Sequence, residues 1–198
     1  MLIARPALAV FSAVYRFMQS ADRMCWQLWD SVRTELWTAI GLAPLLWTSL
    51  KTDWFEHVVA SDASLDGLGV CAVRADATEV TVEELVAPDS HDWSVIAASP
   101  WKPNDEHINS LEIRASSTAI RWVLSHPHSI GRRLLLLSDS EVAVGCLSKG
   151  RSSSHRLLRR LRSISSLLLA SRLQLSVWWI PSHLNPADEP SRRWSPLL

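Results

Sequence analysis

Four carboxylates stand where carboxylates are hard to explain. Asp62 ends the stretch VVASD, on the same strand face as Val58 and Ala60, because alternate residues of an extended chain point the same way. Asp139 closes the run LLLLSD on the face of Leu135 and Leu137. Glu112 lies among Ile108, Ala115 and Ala119, at helical offsets of −4, +3 and +7, on a face that is otherwise apolar. Asp188 falls in the first turn after Asn185 and Pro186, a cap-plus-proline helix start. A buried, unpaired carboxylate costs on the order of several kcal/mol, so it finds a partner, takes up a proton or binds a cation.

Taken singly, two of the four have ordinary explanations. A first-turn Asp such as Asp188 complements the helix dipole, and Asp62 can act as a turn acceptor ahead of Gly67. Glu112 and Asp139 interrupt apolar faces with no basic residue at pairing distance in the sequence. Brought to one sheet edge, the four would repel one another unless something cationic lay between them. Hard divalent cations with oxygen ligands suit such a cluster, magnesium above all, because it keeps waters and binds phosphate oxygens. Zinc is not expected, since Cys25, Cys71 and Cys146 show no CxxC or Cys/His spacing.

The elements that must position these acids follow from periodicity. Residues 57–64 (HVVASDAS) read as a strand, SLDG as a turn and GVCAV as its hairpin partner. Residues 75–92 are acidic and predict a loop with a short helix around 82–86, and residues 93–98 a third strand. HINSLEIRASSTAIRWVL predicts an amphipathic helix, RRLLLLSDS a strand apolar on both faces, as in the middle of a covered sheet, and EVAVGCLSKG a short helix stopped by Gly150. SSSHRLLRRLRSISSLLLASR predicts a longer helix with an arginine-rich face, LQLSVWWI a last strand and NPADEPSRR a short helical turn. The order β-β-β-α-β-α-α-β-α implies an α/β fold, a mixed sheet with helices on its faces. Upstream, residues 7–50 are mostly helical in pattern. Trp26, Leu28, Trp29, Val32, Leu36, Trp37 and Ile40 make one apolar face, ended by Gly41 and Pro44. Four of the 11 tryptophans precede Lys51, which points to docking, and packing onto the chain's own domain is the expected form of it.

The chain has 198 residues, enough for one domain and extra segments, and its 47% hydrophobic and 20% charged composition supports a packed core. Net charge is zero but unevenly spread. Residues 1–112 hold 7 Lys/Arg against 16 Asp/Glu, and residues 113–198 hold 13 against 4, so the halves carry −9 and +9. The C-terminal half therefore offers either a polyanion-facing surface or a solvated basic face. Cys71 and Cys146 sit in apolar segments and read as core residues, which fits a reducing compartment. No stretch reaches the ~18 apolar residues of a membrane span. The leader-like start LIARPALAVFSAVY is broken by Arg5 and Pro6, which argues against secretion and for an intracellular location in cytoplasm or nucleus.

Four signatures occur in order: DAS-x-x-G-x-G from Asp62, HIN-x-LE-x-x-A from His107, the apolar strand ending SDS, and IPS-x-x-NPAD-x-x-SR from Ile180. Together they resemble the ribonuclease H domain of retroelement reverse transcriptase polyproteins, closest in flavour to DIRS-like and long-terminal-repeat-type elements, over about residues 55–195. The start, RPALAVFSAVYRF, resembles the segment that follows the polymerase palm in such enzymes. The resemblance implies two parts: a helical segment, residues 1–54, like the post-palm or connection part, and a ribonuclease H-like domain, residues 55–198, with a mixed five-stranded sheet and helices on both faces. The sequence has no YXDD-type polymerase signature, so polymerisation is not expected.

By that resemblance the acidic tetrad is Asp62, Glu112, Asp139 and Asp188, holding two magnesium ions, with manganese able to substitute. The implied reaction is hydrolysis of the RNA strand of an RNA–DNA hybrid. His183 matches a loop histidine thought to help proton movement or product release, and equally reads as a plain surface histidine. Arg151, Arg156, Arg159 and Arg160 fall where relatives present a basic surface to the hybrid, with His155 and Arg162 beside them; Asn109 and Ser140 are candidates for contacts to the 2′-hydroxyl. The implied partners are the hybrid and an upstream reverse transcriptase domain. Two other readings stay open: a catalytically silent hybrid-binding or connection domain, and another nuclease of the same fold. Pro190, inside the last helix, should leave that helix short or distorted.

Overall fold

A computed structural model of the chain describes residues 5–20, 27–46, 49, 51–75, 81–87, 92–102 and 105–195. After a 3-10 segment, Arg5–Val10, its elements in chain order are α1 (Ala13–Ser20), α2 (Asp30–Leu42), β1 (His57–Ala63), β2 (Gly67–Arg74), α3 (Val82–Val86), β3 (Ser94–Pro100), α4 (Ile108–Leu124), β4 (Arg133–Ser138), α5 (Glu141–Lys149), α6 (His155–Ser171), β5 (Gln174–Trp179) and α7 (Asp188–Arg192). The expected α/β architecture is the one that forms. The five strands make a single mixed sheet in the order β3-β2-β1-β4-β5, antiparallel across β3, β2 and β1 and parallel across β1, β4 and β5.

Strand alternation divides the core into two layers. Val59, Ala63, Leu134 and Leu136 face α4, α5 and α6, while Val58, Ala60, Leu135 and Leu137 face α3 and the start of α7. Helices therefore cover both faces, and the central strands β1 and β4 are buried almost throughout. The β1–β2 turn is closed by Ser64, whose Oγ accepts from the amides of Asp66 (3.1 Å) and Gly67 (2.9 Å). On the α4 side, the hydroxyls of Ser61 and Ser116 meet at 3.1 Å, so two small polar residues satisfy each other inside the core and pin α4 against β1.

The N-terminal segment is tied to the domain by hydrogen bonds. Arg162 of α6 donates from Nε to Ala9 O (2.9 Å) and from Nη2 to Val10 O (3.1 Å). Glu35 of α2 accepts from the amides of Ser12, Ala13 and Val14, which caps the start of α1. Gly150 ends α5 at φ +65°, and a Cβ there would lie 2.1 Å from Arg5 O, so the glycine serves both the left-handed cap and the close approach.

Three expectations need correction. The helix of the N-terminal region starts only at Asp30 and runs through Gly41 to Leu42, continuing as a 3-10 turn, Ala43–Leu45, because an exposed glycine weakens a helix without ending it. The apolar face of α2 packs only in part within the chain: Val32 is buried and Trp29 meets the Phe17 ring edge-on at 5.2 Å, but Trp37 is 72% and Ile40 61% exposed, and Leu36 is also exposed. Trp26 and Cys25 lie outside the described residues. The third strand is shifted to Ser94–Pro100. The last helix is short, five residues, as Pro190 requires. Among the described residues, no helix is long and apolar enough to cross a membrane.

Candidate metal centre

Parallel pairing places the first two acids. Val59 sits opposite Leu136 and Ala60 opposite Leu137, so two residues further along each strand Asp62 and Asp139 lie side by side at the carboxyl ends of β1 and β4. Both project to the face that α7 covers, since each alternates with residues of that layer. Glu112 comes from the first third of α4, one turn before the Ser116 that anchors the helix to Ser61. Carboxylate oxygens of Asp62, Glu112 and Asp139 all lie within 4.8 Å of one another.

The surroundings make this cluster electrostatically costly. Asp62 and Glu112 are buried, and Asp139 is half-buried. Burial, reinforced by the charges of Asp62 and Asp139, pushes the Glu112 carboxyl up to about 9, against a weaker opposing hydrogen bond from the Ala63 backbone. Burial likewise raises Asp62 to about 7; the hydroxyl of Ser191 works against this, and the neighbouring Asp139 and Asp188 add to it. Glu112 Oε2 is buried and accepts no hydrogen bond. An oxygen-only donor set with an orphaned buried carboxylate oxygen is what a hard divalent cation would satisfy. The residues present fit such an ion.

The fourth acid stands apart from this trio. Asp188, in the first turn of α7, is near enough for its charge to act on Asp62. Its Oδ1 lies 2.7 Å from Arg192 Nη2, an ion pair without hydrogen-bond geometry, and Arg192 is largely exposed.

The segment from β5 to α7 clamps the acids through residues whose side-chain roles the sequence did not single out. Ser182 donates its hydroxyl to Asp139 Oδ2, and Asn185 Nδ2 donates to Asp139 Oδ1 at 3.1 Å and to Ser61 O at 3.4 Å. Asn185 Oδ1 accepts from the amide of Ala187 (3.1 Å), so one buried amide shapes the turn and orients the acid. Ser191 donates to Asp62 Oδ2. Trp179 Nε1 donates to the Asp139 carbonyl at 2.9 Å. The signal was there in the NPAD-x-x-SR spacing, read only for its helix start and its acid.

Two glycines let α7 come this close. A Cβ at Gly69, which pairs with Asp62 across the hairpin, would lie 2.2 Å from Ala187 O and 2.8 Å from Ser191 N. At Gly67 it would lie 2.7 Å from the Trp194 ring and 2.9 Å from Ser191 O. The Gly-x-Gly of β2 is therefore a groove for α7.

The other predicted residues are spread around this edge. His183 is exposed in the 3-10 turn Ser182–Leu184, next to the Ser182 that holds Asp139. Ser140 caps α5, accepting from Ala143 N at 3.3 Å, and Asn109 is half-buried in the first turn of α4. Arg156 and Arg159 are exposed on α6. Arg151 and Arg160 are already engaged: Arg151 stacks on Tyr15 (4.9 Å to the ring centroid), and Arg160 Nη2 donates to both oxygens of Glu106 at 3.0 Å. Cys71 is a core thiol, pushed up to about 11 by burial.

Among solved structures, the chain is similar to LC11-RNase H1, crystallised in complex with an RNA/DNA hybrid: 16% identity, TM-score 0.44, covering 67% of this chain and 91% of that one. RNase H1 from the archaeon Halobacterium salinarum matches at 18% identity and TM-score 0.44, covering 67% and 92%. The prototype foamy virus protease-reverse transcriptase matches at 14% identity and TM-score 0.48, covering 76% of this chain and 22% of that one. No family model matches the chain, and no curated protein matches it.

Proposed function

We propose that the chain is a ribonuclease H, hydrolysing the RNA strand of RNA–DNA hybrids with magnesium bound at its acidic cluster, as part of a retroelement reverse transcriptase. The observation that carries this reading is the convergence of Asp62, Glu112 and Asp139 from three different elements onto a space under 4.8 Å across, two of them buried and one with an unpartnered oxygen. Among the described residues no basic side chain pairs with Asp62, Glu112 or Asp139: the nearby hydroxyls and amide of Ser182, Ser191 and Asn185 orient the acids without neutralising them.

In this reading Asp62, Glu112 and Asp139 would hold the metal, and Asp188, here paired with Arg192, would contribute to a second ion. A pair of bound divalent ions supplies an activated water and charge stabilisation for the leaving oxygen in an in-line displacement at phosphorus. The chain's own residues do the positioning. Ser191 and Ser182 fix the rotamers of Asp62 and Asp139, Asn185 holds the turn that carries them, and α7 closes the edge against bulk water. His183, exposed in the turn beside Ser182, would relay the proton taken up by the departing ribose oxygen. Arg156 and Arg159 would meet phosphates without regard to sequence, and Asn109 and Ser140, near Glu112 and Asp139 in the chain, would recognise a 2′-hydroxyl. Residues 1–54 would then be the end of a connection segment, a reading supported by the exposed apolar side of α2, which leaves Trp37 and Ile40 for a preceding domain.

Labelled RNA–DNA hybrid, duplex DNA and duplex RNA incubated side by side with magnesium test the proposal. Cleavage of the hybrid's RNA strand alone, abolished by Asp139→Asn, is expected. Equal cutting of duplex DNA would indicate another nuclease of this fold, and tight hybrid binding without cleavage would indicate a silent binding domain.

A further inference from the structure

A second polar site lies on the far side of α4 from the acids. Counting 100° per residue from Glu112, Arg114, Ser117, Thr118 and Arg121 point about 140° to 240° away from it, to the face that looks outward between α6 and the end of β3. There they line a groove of about 400 Å³, together with Lys102 from the segment after β3 and Arg160 of α6. Its lining has four cationic side chains and no acid. Glu106 lies beside it and joins Arg114 (2.8 Å) to Arg160 (3.0 Å). Burial alone would raise the Glu106 carboxyl, but the hydrogen bonds from Ser110 and Arg160 hold it below the usual range, so it stays ionised and fixes both guanidinium groups. Arg114 is held from its other side by the Trp101 ring, 4.3 Å from the centroid. Glu106 offsets one of the four cations and leaves the groove net cationic, with Arg114 and Arg160 preorganised; the Thr118 hydroxyl is spent on the Arg114 carbonyl at 3.1 Å.

We propose that this groove binds the phosphodiester backbone of a nucleic-acid strand, as a second binding surface separate from the acid-lined edge. Preorganised guanidinium groups suit phosphate oxygens, which accept several charge-assisted hydrogen bonds at once. A cationic groove with no acid among its lining residues takes the phosphates of a strand's backbone. Its occupant is the single-stranded arm that extends beyond the scissile region. The choice of nucleic acid rests on the proposed ribonuclease H reading; the phosphate chemistry does not.

The test uses the full chain in EDTA, with fluorescence anisotropy of a short blunt hybrid and of the same hybrid carrying a single-stranded DNA tail, across a salt series. In the wild type the tail should tighten binding and steepen the dependence on log salt. The double variant Lys102→Ala/Arg121→Ala should abolish that gain, with the salt slope falling by about 1 to 1.5, roughly 0.7 for each single-strand phosphate that the variant no longer neutralises. Its binding and magnesium-dependent cleavage of the blunt hybrid should stay within about twofold of wild type. Arg121→Glu should weaken tail binding further, and unchanged thermal unfolding confirms that each variant is folded. An unchanged slope in the double variant, or a tail that neither tightens binding nor steepens the salt dependence in the wild type, overturns the proposal. A chain that binds tails through this groove but cleaves no hybrid sinks only the catalytic reading.

Discussion

The carbonyl oxygen of Ala187 sits 2.2 Å from where a Cβ on Gly69 would be. Two segments more than a hundred residues apart, the second strand of the hairpin and the last helix, thus touch only because one of them lacks a side chain. Gly69→Ala must push α7 outward, moving Ser191 off Asp62 and Asp188 away from the cluster. We expect a loss of roughly 1–3 kcal/mol, as overpacking of tight sites gives, and a larger proportional loss of hydrolysis. Thermal unfolding reads the first, at about 2–4 °C for each kcal/mol in a chain of this size. Gly145→Ala is the control: nothing lies within 4 Å of a Cβ there, and a mid-helix alanine should be neutral or slightly stabilising.

The acidic cluster makes the metal-free protein less stable as pH rises. Asp62 ordinarily loses its proton near 3.8 but in the fold keeps it to about 7, and Glu112 keeps its proton to about 9. Between those limits the folded chain holds protons that the unfolded chain has released, so this contribution to stability is full below about 4 and is lost as pH climbs through 7 and 9. Asp62→Asn should therefore raise the unfolding free energy in EDTA at pH 8 by roughly 1–3 kcal/mol, and leave it unchanged near pH 4. Magnesium should stabilise the wild type at pH 8 and do so far less in the variant. A variant that melts below wild type at pH 8 would show that the carboxylates are not in conflict.

The exposed side of α2 should tolerate polar replacement. Trp37 and Ile40 touch little of their own domain, so Trp37→Ser with Ile40→Ser should change stability by no more than about 0.5 kcal/mol, as surface changes do. The same double variant should be more soluble, with less self-association in sedimentation at high concentration. Marked destabilisation would mean that the face is covered within the chain after all.

Legibility from the sequence was uneven for physical reasons. Strands and helices with strong periodicity, such as β4 with its leucine run and α4 with its apolar stripe, were read close to their bounds, and α3 to the residue. Asp62, Glu112 and Asp139 were legible because each breaks an apolar pattern, and a broken pattern is a local signal. Ser182, Asn185 and Ser191 were not, since a serine or asparagine near a helix start has an ordinary capping use and nothing local says that it faces a distant acid. The α2 face was misjudged because an apolar stripe shows that something will cover it but not whether that partner belongs to the same domain. Arg160 read as a free base, because its pairing with Glu106 spans 54 residues.

Asn185 offers the sharpest test of how the cluster is held, because it touches an acid without being one. Its amide nitrogen reaches Asp139 Oδ1 (3.1 Å), and its oxygen takes the amide of Ala187 (3.1 Å). Asn185→Ala removes both, along with the longer bond to Ser61 O (3.4 Å), and deletes no carboxylate. The unpaired Ala187 amide should cost about 1–3 kcal/mol of stability, visible in denaturant unfolding. Loss of an orienting partner typically weakens metal binding about 10–100-fold, so hybrid cleavage should need correspondingly more magnesium and recover much of its maximal rate once magnesium is raised. Asp139→Asn, by contrast, should not recover at any magnesium concentration, since it removes a ligand rather than its support. If Asn185→Ala needs no more magnesium than wild type, the amide serves the turn alone and Asp139 is held by Ser182.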